Sequence, residues 1–118
     1  MMIKLQFDFK LISKDNERIQ NRQGRYFLSA KYKTFSEKVR LLAVSQYRGK
    51  PLEGNISVVI IVGFKDKRHC DCSNLPKGVL DDLQSIIYAN DRQIKRLKCI
   101  VLDSEPRDSF IVIVEEIK

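Results

Sequence analysis

An α+β fold, a small mixed β-sheet with two packed helices, is what the order of apolar patterns in this chain predicts. Three observations carry that expectation. Ile3, Leu5, Phe7 and Phe9 alternate with polar residues, the two-residue period of a strand with one buried face. Phe35, Val39, Leu42 and Ala43, with Gln46 or Tyr47, recur at the 3.6-residue period of a helix. Residues 56–64 are nearly all β-branched, which marks a central strand buried on both faces.

In chain order, the first strand is expected over residues 2–9. Residues 14–28 have no apolar period and carry Arg18, Arg22 and Arg25 among amides and Gly24, so they read as a long basic loop whose guanidinium groups suit phosphate oxygens. Tyr26 and Phe27 end that loop with two open readings, stacking on an exposed base or anchoring the loop to the core. The first helix starts at Ser29 or, with Thr34 and Glu37 as a capping box, one turn later, and ends near Tyr47. Residues 48–54, with Gly49, Pro51 and Gly54, form a loop. After the central strand, Leu75, Val79, Leu83 and Ile86 or Ile87 make the buried stripe of a second helix, and Pro76 suits its first turn. Lys77, Asp81 and Gln84 fall on another face of that helix. Strands over residues 97–102 and 110–114 close the domain, and periodicity leaves the strand order open.

The 118 residues make one domain, 1–118, and a homodimer is a natural way for a chain this short to build a larger surface. No apolar run approaches a bilayer span, and residues 1–9 lack a signal-peptide core, so the expectation is a cytoplasmic protein with no membrane partner. Three cysteines, two of them Cys70 and Cys72, argue against a disulfide scaffold. The net charge of +7 is unevenly placed: residues 1–50 hold 12 Lys and Arg against 4 acids, residues 51–118 hold 10 against 11. The first half suits a polyanion, and the acid-rich half is where chemistry is expected.

Asp71 follows the central strand and Asp91 follows the second helix, so the two carboxylates can converge if that helix folds back along the strands. A hard divalent cation needs oxygen ligands of this kind, and Mg²⁺ takes few carboxylates, keeps waters and binds phosphate directly. Lys77, early in the helix, would then steady a scissile phosphate. Zinc is the rival, with His69, Cys70, Cys72 and Cys99 as soft ligands, although neighbouring His69 and Cys70 point apart on an extended chain.

The run Asp71-Cys-Ser-Asn-Leu-Pro-Lys77, continuing through Asp81 to Asn90-Asp91-Arg-Gln-Ile94, resembles the signature of the RusA family of Holliday-junction resolvases: D-x-D-N-L-x-K, a helix with D-A-L, then D-D-x-Q. Gly24-Arg25 followed by Ser29-Ala30 is similar to the family's basic loop before its first helix. The resemblance implies a RusA-like homodimer that uses Mg²⁺, with Mn²⁺ a substitute, to nick two opposing strands of a four-way DNA junction. It assigns the first and third metal aspartates to Asp71 and Asp91 and the required lysine to Lys77. The second aspartate falls on Ser73, and Asn90 replaces the first acid of the second acidic pair. Losing carboxylates weakens a hard-cation site, which Ser73 or a water it holds, or Asp81 or Asp82 leaning in, would have to offset. The expected DNA contacts are Arg18, Arg22, Arg25, Lys65, Lys67, Arg68, Arg92 and Lys95. The competing expectation is a dimer that binds branched DNA and has lost cleavage through Ser73.

Overall fold

The computed structural model describes residues 1–14, 18–68 and 71–117, apart from the side chain of Arg18. Four strands make the main sheet: β1 (Met2–Phe7), β4 (Ile56–Gly63), β5 (Ile94–Leu102) and β6 (Ser109–Glu116), in the order β1-β6-β4-β5. β6 pairs antiparallel with both β1 and β4, while β4 and β5 are parallel. The sheet is therefore mixed, as the sequence predicts.

The register explains the core. Leu5, Val112 and Ile60 sit side by side, as do Phe7, Phe110 and Val62, and Ile3, Val114 and Val58. All nine are buried. Phe7 stacks on Phe110 with centroids 4.5 Å apart, and Phe9 meets Phe35 and Phe110 edge-on, an arrangement favoured by the ring quadrupole. Phe9 thus belongs to the aromatic cluster and not to β1, which ends two residues before the expected point.

The central strand corrects one expectation. β4 shows an alternating pattern in which Ile56, Val58, Ile60 and Val62 are buried while Ser57, Val59 and Ile61 are half-buried. The β-branched composition thus reported sheet propensity and not full burial on both faces.

The expected basic loop is also corrected. It contains β2 (Arg18–Gln20) and β3 (Tyr26–Leu28), an antiparallel hairpin pairing Ile19 with Phe27 and Gln20 with Tyr26. Asn21 builds the turn by accepting from the amides of Gln23 and Arg25, and Gly24 takes φ +81°, a conformation costly for any residue with a Cβ.

Helix α1 (Ala30–Gln46) starts at the earlier of the two expected caps: Ser29 Oγ accepts from the Tyr32 amide at 3.1 Å. Tyr32, Phe35, Val39 and Ala43 bury its inner stripe. Helix α2 (Pro76–Leu83) is a turn shorter than expected. Gln84 is extended and Ser85 turns left-handed at φ 74°. The chain then folds back so that Ser85 N donates to Tyr88 O at 2.7 Å. Ile87 and Tyr88 remain fully buried, so the apolar stripe continued beyond the helix that carried its first part. Among the described residues no helix is long and apolar enough to cross a membrane.

Candidate active site

Parallel β4 and β5 require the chain between them to return across the sheet, and residues 64–93 make that return. A 3₁₀ turn, Cys72–Asn74, leads into α2, and a second, Asp91–Gln93, leads out to β5. The first turn is held from two sides: Ser13 Oγ donates to Asn74 O at 3.2 Å, and the Cys72 thiol donates to Cys99 O at 3.1 Å.

Asp71 occupies the N-cap position of the first turn, yet its side chain makes no capping hydrogen bond. An aspartate in a turn usually serves as a cap; this one leaves its carboxylate exposed to solvent. Ser73 and Lys77 are exposed as well. His69 and Cys70, two of the four residues in the zinc reading, lie outside the described residues, and the Cys72 thiol is engaged with the Cys99 carbonyl.

Asp91 is placed by backbone and amide bonds. Asn90 and Gln93 form a capping box: the Asn90 side chain accepts from the Arg92 amide at 2.8 Å, and Gln93 Oε1 accepts from the Asn90 amide at 2.7 Å. Gln93 Nε2 donates to Leu52 O and Gly54 O at 2.7 and 2.8 Å. The Asp91 amide donates to Gln84 Oε1 at 3.2 Å, so Gln84, in the extended position just beyond α2 and not on its helical face, holds the backbone of Asp91. Asn90, which stands where the resemblance has an acid, is a structural cap.

Asp71 precedes the N-terminal end of α2, and Asp91 is tied to the residue that ends it. Among the described residues no group of three or more His, Cys, Asp or Glu side chains converges as a cation site. The donors that are present, carboxylate and hydroxyl oxygens open to solvent, are chemically suited to Mg²⁺, which binds through one or two carboxylates and completes its shell with water and substrate phosphate. They fit an ion that arrives with its substrate and do not form a closed cage.

The other acids of α2 are committed elsewhere. Asp81 pairs with Lys14, Nζ to Oδ2 2.9 Å. Asp82 is buried against α1 and accepts from Ser36 Oγ at 2.5 Å, so it faces away from Asp71 and does not lean in. Burial pushes the Asp82 carboxyl up from its ordinary range, opposed by the Ser36 hydrogen bond and by the charges of Lys14 and Arg40. The phenol of Tyr88 is also pushed up, first by burial and then by the negative charges of Asp81, Asp91 and Asp82. Asp81 and Asp91 thus act on one buried hydroxyl, a link that no sequence spacing announces.

The expected DNA contacts fall into three groups. Lys65, Lys67 and Arg68 line an open groove of about 590 Å³ with Asp66 and Asp108. Asp108 Oδ1 accepts from the Lys65 amide and Asp66 Oδ1 from the Arg68 amide, at 2.8 and 2.9 Å, so the carboxylates shape the backbone while the cationic side chains stay exposed. Arg22 and Arg25 are exposed at the hairpin turn, and Arg18 opens β2 with its side chain outside the description. Arg92 and Lys95 are exposed beside Asp91. Lys14 was missed by the sequence reading, because its partner lies 67 residues away. A family model described as endodeoxyribonuclease RusA matches residues 8–113. No curated protein sequence matches.

Proposed function

Because the chain belongs to the RusA endodeoxyribonuclease family, we propose that it is a structure-specific endonuclease that, as a homodimer, nicks opposing strands of four-way DNA junctions. The observation that carries this reading is Asp71: a turn aspartate at a cap position whose carboxylate does no capping and faces solvent. Asp91 adds a second exposed carboxylate on a turn fixed from three directions.

Asp71, Asp91 and Ser73 would hold Mg²⁺, or Mn²⁺ in its place, which supplies charge neutralisation at the phosphate and a water of lowered pKa. The Lys77 ammonium steadies the phosphate oxygens as negative charge builds on them. Lys65, Lys67, Arg68, Arg92, Lys95 and the hairpin arginines Arg18, Arg22 and Arg25 grip the backbone without reading sequence. The test is cleavage of a synthetic four-way junction with Mg²⁺ or Mn²⁺. Symmetric nicks that vanish in Asp71→Asn and Asp91→Asn are expected; an inert protein with either metal would overturn the reading.

A second reading rests on Ser73 and on the lack of three converging ligands among the described residues. In it the dimer binds branched DNA and does not cut. Junction binding without nicks, followed by a large gain of cleavage in Ser73→Asp, is its signature.

A further inference from the structure

Between the β2–β3 hairpin and the body of the protein lies a cavity of about 260 Å³, lined by Lys14, Tyr26, Phe27 and Leu28. Its volume falls just below the range of drug-sized pockets and gives room for a single heterocycle. Leu28 packs partly against the core, which fixes the base of the hairpin. Tyr26 does the opposite: it is 68% exposed, although burying an aromatic ring is among the most favourable contacts a small domain can make. Its strand is short but held in register, and the turn beyond it is fixed by the Asn21 side chain. An exposed ring on a ribbon held in register is an available stacking surface.

The surroundings specify the ligand. Lys14 lines the same cavity and is anchored by Asp81 at 2.9 Å, and Asp81 stands one helical turn from Lys77. Arg22 and Arg25 are exposed at the turn of the hairpin. An aromatic side chain and an ammonium lining one cavity, on a hairpin whose turn also exposes two guanidinium groups, match a planar base joined to a phosphate. Bases inside a continuous duplex present only their edges, so such a cavity has nothing to take from intact double helix. A base that has lost a stacking neighbour, as at a branch point, is available at little cost.

Resting on the nuclease reading, we propose that this cavity is a binding site for one unstacked nucleobase at the DNA branch, stacked on Tyr26, with its phosphate drawn toward Lys14 and the Lys77 side of α2. The site makes discrimination between branched and linear DNA a property of the hairpin and leaves the carboxylates free for chemistry.

The experiment uses the full-length protein and a four-way junction carrying a fluorescent adenine analogue at the branch, with a distant dye reporting binding and a linear duplex as reference. Stacking on Tyr26 is expected to change the analogue's emission on binding. Tyr26→Ala should abolish that change and lower the ratio of junction to duplex affinity about tenfold, the effect of losing one base–aromatic stack. Tyr26→Phe, which keeps the ring, should retain both. An unchanged emission response and affinity ratio in Tyr26→Ala, with junction binding intact, overturns the base site and leaves the nuclease reading standing. Failure of the unaltered protein to bind any DNA overturns both.

Discussion

Ser36 on α1 donates a hydrogen bond of 2.5 Å to Asp82 on α2, and this contact joins the two helices through a carboxylate with only 7% of its residue surface exposed. The second oxygen, Oδ2, has no hydrogen-bond partner among the described residues. Burial holds the Asp82 carboxyl above its ordinary value of 3.8, so the folded state binds its proton more tightly than the unfolded chain does. The sign follows: the group's contribution to stability is full below that value and is lost as pH rises through the folded-state pKa. Asp82→Asn removes the ionisation and keeps the shape. Its stability relative to the parent, followed by thermal melting, should rise between about pH 4 and pH 7, by an amount on the order of 1 kcal/mol. Melting curves that move in parallel across this range would contradict the buried-charge account.

Gly78 tests the same helix pair by volume. A Cβ at this position would overlap the Tyr32 hydroxyl and come within 3.2 Å of Lys14 Cβ. Alanine is the better helix former by about 1 kcal/mol, yet overpacking costs typically about 1–3 kcal/mol. Gly78→Ala should therefore destabilise on balance in urea unfolding. Combining it with Tyr32→Phe should cost less than the sum of the two single changes, because the overlapping atom is gone; strict additivity would argue against the overlap.

Ser73→Asp restores an anionic oxygen at the position where the family signature has one. Carboxylate count is a main determinant of affinity for hard cations, so the Mg²⁺ concentration for half-maximal cleavage should fall several-fold. Titrating metal in a junction-cleavage assay checks it, and an unshifted midpoint would mean that Ser73 does not face the ion.

The groove at Lys65, Lys67 and Arg68 should act through phosphate alone. Replacing any one of them with Gln should weaken junction and duplex binding alike and lower the slope of log affinity against log salt by about 1. Loss confined to the junction would instead make the groove a branch reader.

Much of this fold was legible because long elements carry strong periods. The Ile3-Leu5-Phe7 alternation and the stripe of α1 each specified an element and its inner face, while the β-branched run specified β4 as a strand but not that its two faces are unequally buried. The hairpin was not legible: three-residue strands give too few alternations to register. The first half of β5 was hidden by Lys95, Arg96 and Lys98, which are exposed along an edge strand and read as surface. The overlong α2 arose because Ile87 continues the apolar spacing after Ser85 has broken the backbone. Motif spacing singled out Asp71, Lys77 and Asp91 as candidates but carried no information on what each touches. The Lys14–Asp81 and Ser36–Asp82 contacts join residues 67 and 46 positions apart, and only packing reveals them.

The Asn90–Gln93 box bears on affinity as well as on shape. Gln93 is bonded to Leu52 and Gly54 on one side and to Asn90 on the other, so the backbone that carries Asp91 is ordered when the domain folds. The conformational entropy of fixing that segment is then lost in folding and need not be lost again when an ion or a phosphate arrives. A carboxylate held in advance binds more tightly than the same carboxylate on a loose loop, and in a chain where Ser73 and Asn90 stand in place of two acids that preorganisation compensates for part of the missing charge.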